Sequence, residues 1–515
     1  MEHVPVVVVG GGIGGLTTAV HLAHRGIPPL VLEANTKWLG GRVSSGEPAT
    51  FMHNGQAWSF PSEHGIHGLW GGYANLRAML YRFVPNTNLH PIPSNGEMWI
   101  HRDRDTITRA EIGATIREGV FPAPFHTLNL LVNPRFWGMI SPLDALSIPG
   151  VLYSILWATG LDPVREQSRM DRFVADEFYR LWTPNVEAAI RGLTRNMLAA
   201  PDESITLDGL ISALRFYTLL RRDAWHPHFF PCNIQSALIT PLVDYTQQHG
   251  GRFWQGYKLR QIIQRDDAKW ELVIQQANEN ICSIMTDAVV LALSSHACQQ
   301  VIQSSFVVND YANIYTAFPD ELGNVVIRLW FDHSVNDLNG GMLTGDFIAD
   351  NYFWLTTFQS EFEAWAQQGS SAIELHLYGN RDLLRQTDAI LLGLCIEDVY
   401  RAFPTLQTHL VHATLRRNSK THTAFRVPTA HTLGVQTPWA GIYAVGDWVR
   451  HPTPAMWMER AVTTAISATN EILQHHGKQP YVVLEPPPPE PLARLTEQAV
   501  TWIRHQVQGW LSRRG

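Results

Sequence analysis

Cysteine is scarce. The four present among 515 residues, Cys232, Cys282, Cys298 and Cys395, stand far apart and form no C-x-x-C pair. That excludes a disulfide scaffold and a thiolate zinc centre, and reads as reduced thiols in a cytoplasmic protein. Charge is scarce too, at 17% of residues with a net balance of −7, so no basic face for nucleic acid is expected. No apolar run is long and continuous enough to read as a membrane span; the nearest, Ala145 to Leu161, is broken by Pro149-Gly150. There is no Ser-His-Asp elbow, no zinc-ligand spacing and no P-loop. The Met1-to-Val9 segment has no basic n-region, so no signal peptide is expected. Apolar residues make up 45% of a long chain, enough for two intimately joined domains.

The richest segment is the N-terminus. Val6-Val7-Val8-Val9 runs into Gly10-Gly11-Gly12-Ile13-Gly14-Gly15, a helical stretch follows from Leu16 to His24, and a second apolar run ends at Glu33-Ala34. This is a β-α-β unit with a dinucleotide fingerprint. Gly10 allows the tight turn, Gly12 lets a pyrophosphate approach the backbone, and Gly15 lets helix and strand pack closely. The start of the helix, at Ile13 and Gly14, presents N–H groups and a partial positive charge to that pyrophosphate. Glu33 closes the second strand, where a carboxylate can accept hydrogen bonds from a ribose.

Gly40-Gly41-Arg42 follows the acidic strand. Its glycines let the backbone close in, and its guanidinium can fork onto two oxygens. The stretch from Val8 to Arg42 resembles the N-terminal signature of FAD-dependent flavoproteins of the amine oxidase and carotenoid desaturase superfamily. The resemblance implies FAD as cofactor, with Arg42 near its diphosphate. Near the other end, Gly441 to Asp447 reads as a short buried strand ending in Gly446-Asp447, and Pro454 to Val462 opens a helix running to about Leu473. Together these resemble the second FAD motif of the family. Asp447 then meets the ribitol, and Met458, Glu459 and Ala461 lie near the flavin. Family members often carry Ser-Gly one turn further on, where this chain has Thr463-Thr464-Ala465.

A third segment, Glu63 to Leu76, is similar to the E-x-G-x-H-x-x-x-G-x-Y-x-N-L pattern of plant-type carotene desaturases and carotenoid ring desaturase-methyltransferase relatives, matching at Glu63, Gly65, His67, Gly71, Tyr73, Asn75 and Leu76. The resemblance implies a loop beside the flavin ring, with His67, Glu63 and Tyr73 as candidate catalytic residues at the reacting end. His67 could equally be a hydrogen-bonded structural histidine. A metal pair of His64 and His67 lacks a third ligand nearby, so no metal site is expected.

These segments imply an α/β protein: a Rossmann-type FAD-binding domain assembled from separated pieces, with an inserted α+β substrate domain. The expected pieces are 1–84, 226–305 and 435–477 for the cofactor, with 85–225 mostly helical, including Asp171 to Trp182 and Leu207 to Leu220, and 306–434 as the substrate domain. Leu259 to Arg265 and Trp270 to Gln275 read as a hairpin turning at Asp266-Asp267, and by resemblance Leu259 meets the adenine. Arg328, on a strand from Asn324 to Asp332, reads as a surface ion pair or a contact to an acceptor or polar headgroup. The stretch around Ala145 to Leu161 is either a buried pocket wall or a surface that dips into a bilayer. In the tail, 478–515, a stiff Pro486-to-Pro491 spacer precedes an amphipathic helix with Leu492, Leu495, Ala499, Trp502 and Ile503 on one face and Arg494, Arg504, Arg513 and Arg514 adding positive charge. That helix packs on its own domain or another subunit, or touches a membrane.

By resemblance, then, the chain is a carotenoid desaturase-like oxidoreductase acting on a carotenoid or related isoprenoid, passing hydride from an allylic C–H to flavin N5. Desaturation is the first reading, and ring desaturation with a methyl shift is close behind. A flavin amine oxidase, a redox-neutral cis-trans isomerase and a non-catalytic flavin carrier stay open. No second nucleotide fingerprint is visible, so a quinone or oxygen is the expected electron acceptor. The expected location is cytoplasmic, possibly peripheral on the membrane's inner face, and an oligomer is possible.

Overall fold

The β-branched run Val6–Val9 lies in a strand with neighbours on both edges and covered faces, and all four valines are buried. The computed structural model describes residues 2–92, 97–166, 170–265, 269–306, 317–336, 339–378 and 381–511. Strand β1 (Glu2–Val9) leads through the Gly-rich turn into helix α1 (Ile13–His24) and back to strand β2 (Leu30–Glu33). β1 pairs in parallel with β2 on one side and with Ile281–Leu291 on the other. Arg252–Gln255 extends the sheet beyond β2, and Ile442–Ala444 extends it beyond Val289–Leu291, both in parallel. The sheet is thus Rossmann-like and drawn from three stretches far apart in sequence. The hairpin strands Tyr257–Gln264 and Trp270–Gln276 run antiparallel beside it. Asp266 and Asp267 lie outside the described residues. The helix Trp457–His475 packs against α1.

A second seven-stranded sheet stands apart. Its order is Leu410–Thr423, Glu321–Phe331, Ser371–Leu377, Asn351–Trp354, Gly340–Gly345, Glu97–Asp103 and Thr106–Glu111, antiparallel except where Gly340–Gly345 meets Glu97–Asp103. The last two strands fall in the stretch whose pattern reads as mostly helical. They form because Met98-Trp99-Ile100 and Thr106-Ile107-Thr108 are β-forming runs joined by a tight turn, with Arg104 at φ +52°. Asp171 to Trp182 is likewise no continuous helix. Only Asp176–Tyr179 makes an α turn, because Phe173 to Ala175 pairs with the segment ending at Leu207 through Leu207 N–H to Phe173 O (2.9 Å) and Ala175 N–H to Ile205 O (3.1 Å).

The Ala145-to-Leu161 stretch contains a helix at Ile148–Thr159, with Pro149 in its first turn, where a missing N–H costs nothing. At about 1.5 Å per residue its twelve residues cover roughly 18 Å, well short of a bilayer core. Among the described residues no helix is long and apolar enough to cross a membrane.

The tail helix, Pro491–Leu511, packs along Ile148–Thr159, but by its polar face. Glu497 pairs with Arg215, Arg504 Nη2 lies 2.6 Å from Glu166, and Thr501 Oγ1 donates to Gly160 O at 3.0 Å. The apolar face points outward: Leu495 is 61% exposed, Trp502 64% and Trp510 52%. Leu143, Leu146 and Tyr153, in and just before the helix it packs on, are exposed as well.

Candidate active site

Both sheets contribute walls to one cavity of about 990 Å³. Gly10 has φ +107°, and a Cβ there would sit 2.3 Å from Ala292 O. A Cβ on Gly15 would lie 1.9 Å from Gly10 O, so this glycine serves the turn and does not itself line the cavity. Gly12 differs. A Cβ there would meet nothing nearer than Gly40 O at 3.9 Å, so its open side is the cavity. Gly12 also precedes α1 without supplying a side-chain cap, which leaves the helix start free for an anion. Glu33 is steered into the cavity by accepting from Gly11 N (2.8 Å) through one oxygen and from Asn35 N (2.7 Å) through the other. Each oxygen keeps a lone pair for a ribose hydroxyl.

Arg42 enters from the Gly40-Gly41 turn. Its Nη1 donates to Asp447 Oδ2 and to Thr423 Oγ1, both at 2.9 Å. Its Nη2 makes no hydrogen bond and stands 3.6 Å from Glu321 Oε1. A guanidinium nitrogen with a hydrogen still to place at the cavity wall fits a diphosphate oxygen. Gly10, Gly12, Ile13, Gly14, Glu33, Ala34, Gly40, Gly41, Arg42, Leu259, Gly446, Asp447, Met458 and Ala461 all line this space.

Glu459 does not line it. Its carboxyl accepts from Asn75 N (2.7 Å), Asn75 Nδ2 (2.9 Å) and Leu76 N (2.9 Å), pinning the helix Ala74–Phe83 that follows the Glu63-to-Leu76 loop. In the stretch Thr463-Thr464-Ala465, the Thr464 hydroxyl accepts from Gly446 N at 3.1 Å and ties helix to strand. Trp457 opens that helix in a left-handed conformation, φ +51°, and lines the cavity with Met458.

The Glu63-to-Leu76 loop reaches the cavity through His64, Gly65, His67, Trp70 and Tyr73. Glu63 is buried behind it, accepting from Ile234 N and from Gln359 Nε2 (2.8 Å), so it shapes the loop from outside the cavity. Burial holds His64 down at about 3 and His67 at about 4, so both imidazoles are neutral. Tyr73, Tyr217 and Trp457 all line the cavity. Burial raises both phenols, which stay protonated.

Arg328 is neither on the surface nor on the cavity wall. It is buried, with Nε 2.7 Å and Nη2 2.6 Å from Glu374 Oε2, and Nη1 bonded to Pro61 O. Burial would raise Glu374, but Arg328, His376 and the Ile66 N–H together hold it well below the usual carboxylate range. His376 and Tyr378, beyond it on the same strand face, line the cavity. No motif marks Tyr217, His376 or Tyr378 in the sequence, and Trp457, though inside the Pro454-to-Val462 segment, is not singled out there. The one usable signal is the alternation Glu374-x-His376-x-Tyr378, which puts three polar groups on one side of a strand.

A family model for flavin-containing amine oxidoreductases matches residues 13–473. The chain belongs to that family. It is an FAD-dependent oxidoreductase, and its distant relatives include carotenoid enzymes. The carotenoid phi-ring synthase of Streptomyces griseus is 28% identical over 92% of this chain and 88% of its own length. That of Chlorobaculum tepidum is 22% identical over 90% and 88%, and the 15-cis-phytoene desaturase of Capsicum annuum is 21% identical over 92% and 78%. Among solved structures, cyclohexylamine oxidase from Brevibacterium oxydans superposes with a TM-score of 0.65 at 13% identity, over 92% of this chain and all of that one. Putrescine oxidase bound to putrescine gives 0.65 at 12%, over 92% and 99%. These structures share the fold.

The buried groups of this flavoprotein predict an unusual pH profile of stability. Burial holds His21, His64, His67, His126, His422 and His451 at about 3 to 4. Their contribution is full above the ordinary value of 6.5 and is lost as pH falls. Burial pushes the Glu63, Glu97 and Glu459 carboxyls up to about 7. Their contribution is full below the ordinary 4.5 and is lost as pH rises through 7. At pH 6.5 the unfolded imidazoles are still half protonated, so the six histidines outweigh the three carboxyls up to about 7, and above 7 the two contributions nearly cancel. The melting temperature should therefore climb from pH 4.5 to about 7 and level off there. Calorimetric scans that go on climbing steadily to pH 8.5 would show that the three carboxyls are not kept neutral.

Proposed function

We propose that this oxidoreductase desaturates an isoprenoid polyene lying along the cavity. Ring desaturation with methyl migration stands beside it, since the relatives named above include two carotenoid phi-ring synthases. The observation that carries the proposal is the lining beyond the cofactor-side glycines. Ile66, Trp70, Ile92, Trp225, Phe229 and Phe353 make an apolar, aromatic wall, and the histidines among them are neutral. Such a wall binds a hydrocarbon, and Glu97, which also lines the cavity, is already paired with Arg117.

Gly12, Glu33, Arg42 and Asp447 hold FAD, which supplies the hydride acceptor. His67 and Tyr73 stand at the reacting end, and Glu63 holds their loop in place. The aromatic walls exclude water and orient the C–H bond. A quinone or oxygen reoxidises the cofactor. The outward apolar face of the tail helix and the exposed leucines near Ile148–Thr159 rest on a lipid surface, from which a water-insoluble substrate enters.

The test delivers carotenoid precursors in lipid vesicles to the anaerobic holoenzyme. The expected result is co-flotation of protein with vesicles, bleaching of the flavin and a red shift of the polyene. A flavin left oxidised by polyenes but bleached by simple amines would replace this reading with the amine oxidase one.

A further inference from the structure

Glu374, His376 and Tyr378 alternate along the strand Ser371–Leu377 and its first following residue, so their side chains share one face. Glu374 Oε1 lies 2.7 Å from His376 Nε2, and His376 Nδ1 lies 2.7 Å from Tyr378 Oη. All three are buried, and the last two line the cavity. The network assigns the tautomer. Nε2 faces an ionised carboxylate and carries the proton, so Nδ1 offers its lone pair to the phenol O–H. The ionised state of Glu374 is secured from behind by Arg328. From the side, Ile66 N donates to Glu374 Oε1 at 2.6 Å, and a Cβ on Gly65 would come within 3.1 Å of His376 Nε2. The Glu63-to-Leu76 loop therefore sits directly on this row of groups. Asn351, paired with His376 across the strands, also lines the cavity, and its Oδ1 is buried without a partner.

A carboxylate, an imidazole and a hydroxyl in this order form the arrangement by which a hydroxyl gives or receives protons readily. We infer that Tyr378, His376 and Glu374 are a proton relay that opens on the cavity and takes up the proton lost by the substrate. The inference rests on the oxidative reading above. In the step, one substrate C–H bond breaks and its hydrogen leaves with both electrons, as hydride, to the flavin. The neighbouring carbon loses its hydrogen as a proton to Tyr378 Oη, and that bond's electron pair becomes the new C=C bond. The phenol's own proton passes to His376 Nδ1. The resulting imidazolium is paired with Glu374, which stays ionised. No phenolate builds up, which suits a phenol that burial keeps protonated.

The test compares the parent holoenzyme with Tyr378→Phe, which keeps the ring and removes only the hydroxyl. Nitrogen-15 NMR of His376 reads the relay without turnover; a parent imidazole protonated at Nε2, with its Nδ1 signal shifted in the variant, is expected. Anaerobic flavin reduction by polyene, in H2O and D2O, reads its use. A roughly 100-fold slower reduction is expected, with the parent's solvent isotope effect lost and polyene binding retained. Equal reduction rates and equal isotope effects in the two proteins, or a parent His376 protonated at Nδ1, would overturn the relay while leaving the polyene reading intact. A parent flavin that no polyene reduces would overturn that reading, and the relay with it.

Discussion

Gly12→Val should fold normally and fail to hold FAD. The room beside Gly12 belongs to the cavity, with no protein atom nearer than 3.9 Å to a Cβ built there. The Cβ therefore finds room without displacing any protein atom, and the methyls it carries occupy space a diphosphate needs. A loss of affinity of about 100-fold or more, worth roughly 2.7 kcal/mol, is expected from flavin titration of the apoprotein, with an apoprotein melting temperature close to the parent's. Gly15→Val makes the contrast. Its Cβ would lie 1.9 Å from Gly10 O, a backbone atom that cannot step aside, so this variant should lose both flavin and stability. Parent-like FAD affinity in Gly12→Val would remove the fingerprint from the cofactor site.

The second large effect is on folding. Arg328→Met strips the counter-charge from Glu374, which is fully buried and ionised. Breaking one side of such a pair costs about 3–5 kcal/mol, whereas replacing both sides with apolar groups is often close to neutral. Denaturant unfolding should therefore show a severe loss for Arg328→Met and a partial recovery in Arg328→Met/Glu374→Leu. The recovery stays partial because Ile66 N and His376 also lose their acceptor. A single variant within 1 kcal/mol of the parent would mean that Glu374 is neutral in the folded protein.

The sequence discloses the cofactor side of this molecule well, because there the backbone does the binding and only glycine can follow that path. Gly10 and Gly40 are visible as motifs because their φ of +107° and +108° favours glycine, and Gly12 because a side chain there would enter the cavity. The substrate side is less legible. Its sheet is closed at one edge by Glu97–Asp103 and Thr106–Glu111, short strands whose polar outer positions hide their period among helical neighbours. Arg328 reads as a surface residue because nothing local announces Glu374, its partner across the adjacent strand. Glu63 and Glu459 sit inside genuine motifs, yet their carboxyls are occupied by backbone N–H groups away from the cavity. A motif marks a position, and long-range packing decides which way its side chain turns. The tail shows the same limit: its amphipathic period is plain, while the choice of the polar face for docking depends on Arg215 and Glu166 hundreds of residues earlier.

The three-piece sheet also governs how this protein is made. β1 emerges first from the ribosome, but its central neighbour ends at Leu291 and the strand beyond that at Ala444. At about 5–20 residues per second, the first strand waits on the order of tens of seconds before the sheet can close. For that interval the valine run has exposed edges and no parallel partner on its inner side, a template for pairing with other nascent chains. Newly made protein should thus depend on chaperones until Ile442–Ala444 has been made, and flavin can be captured only after that.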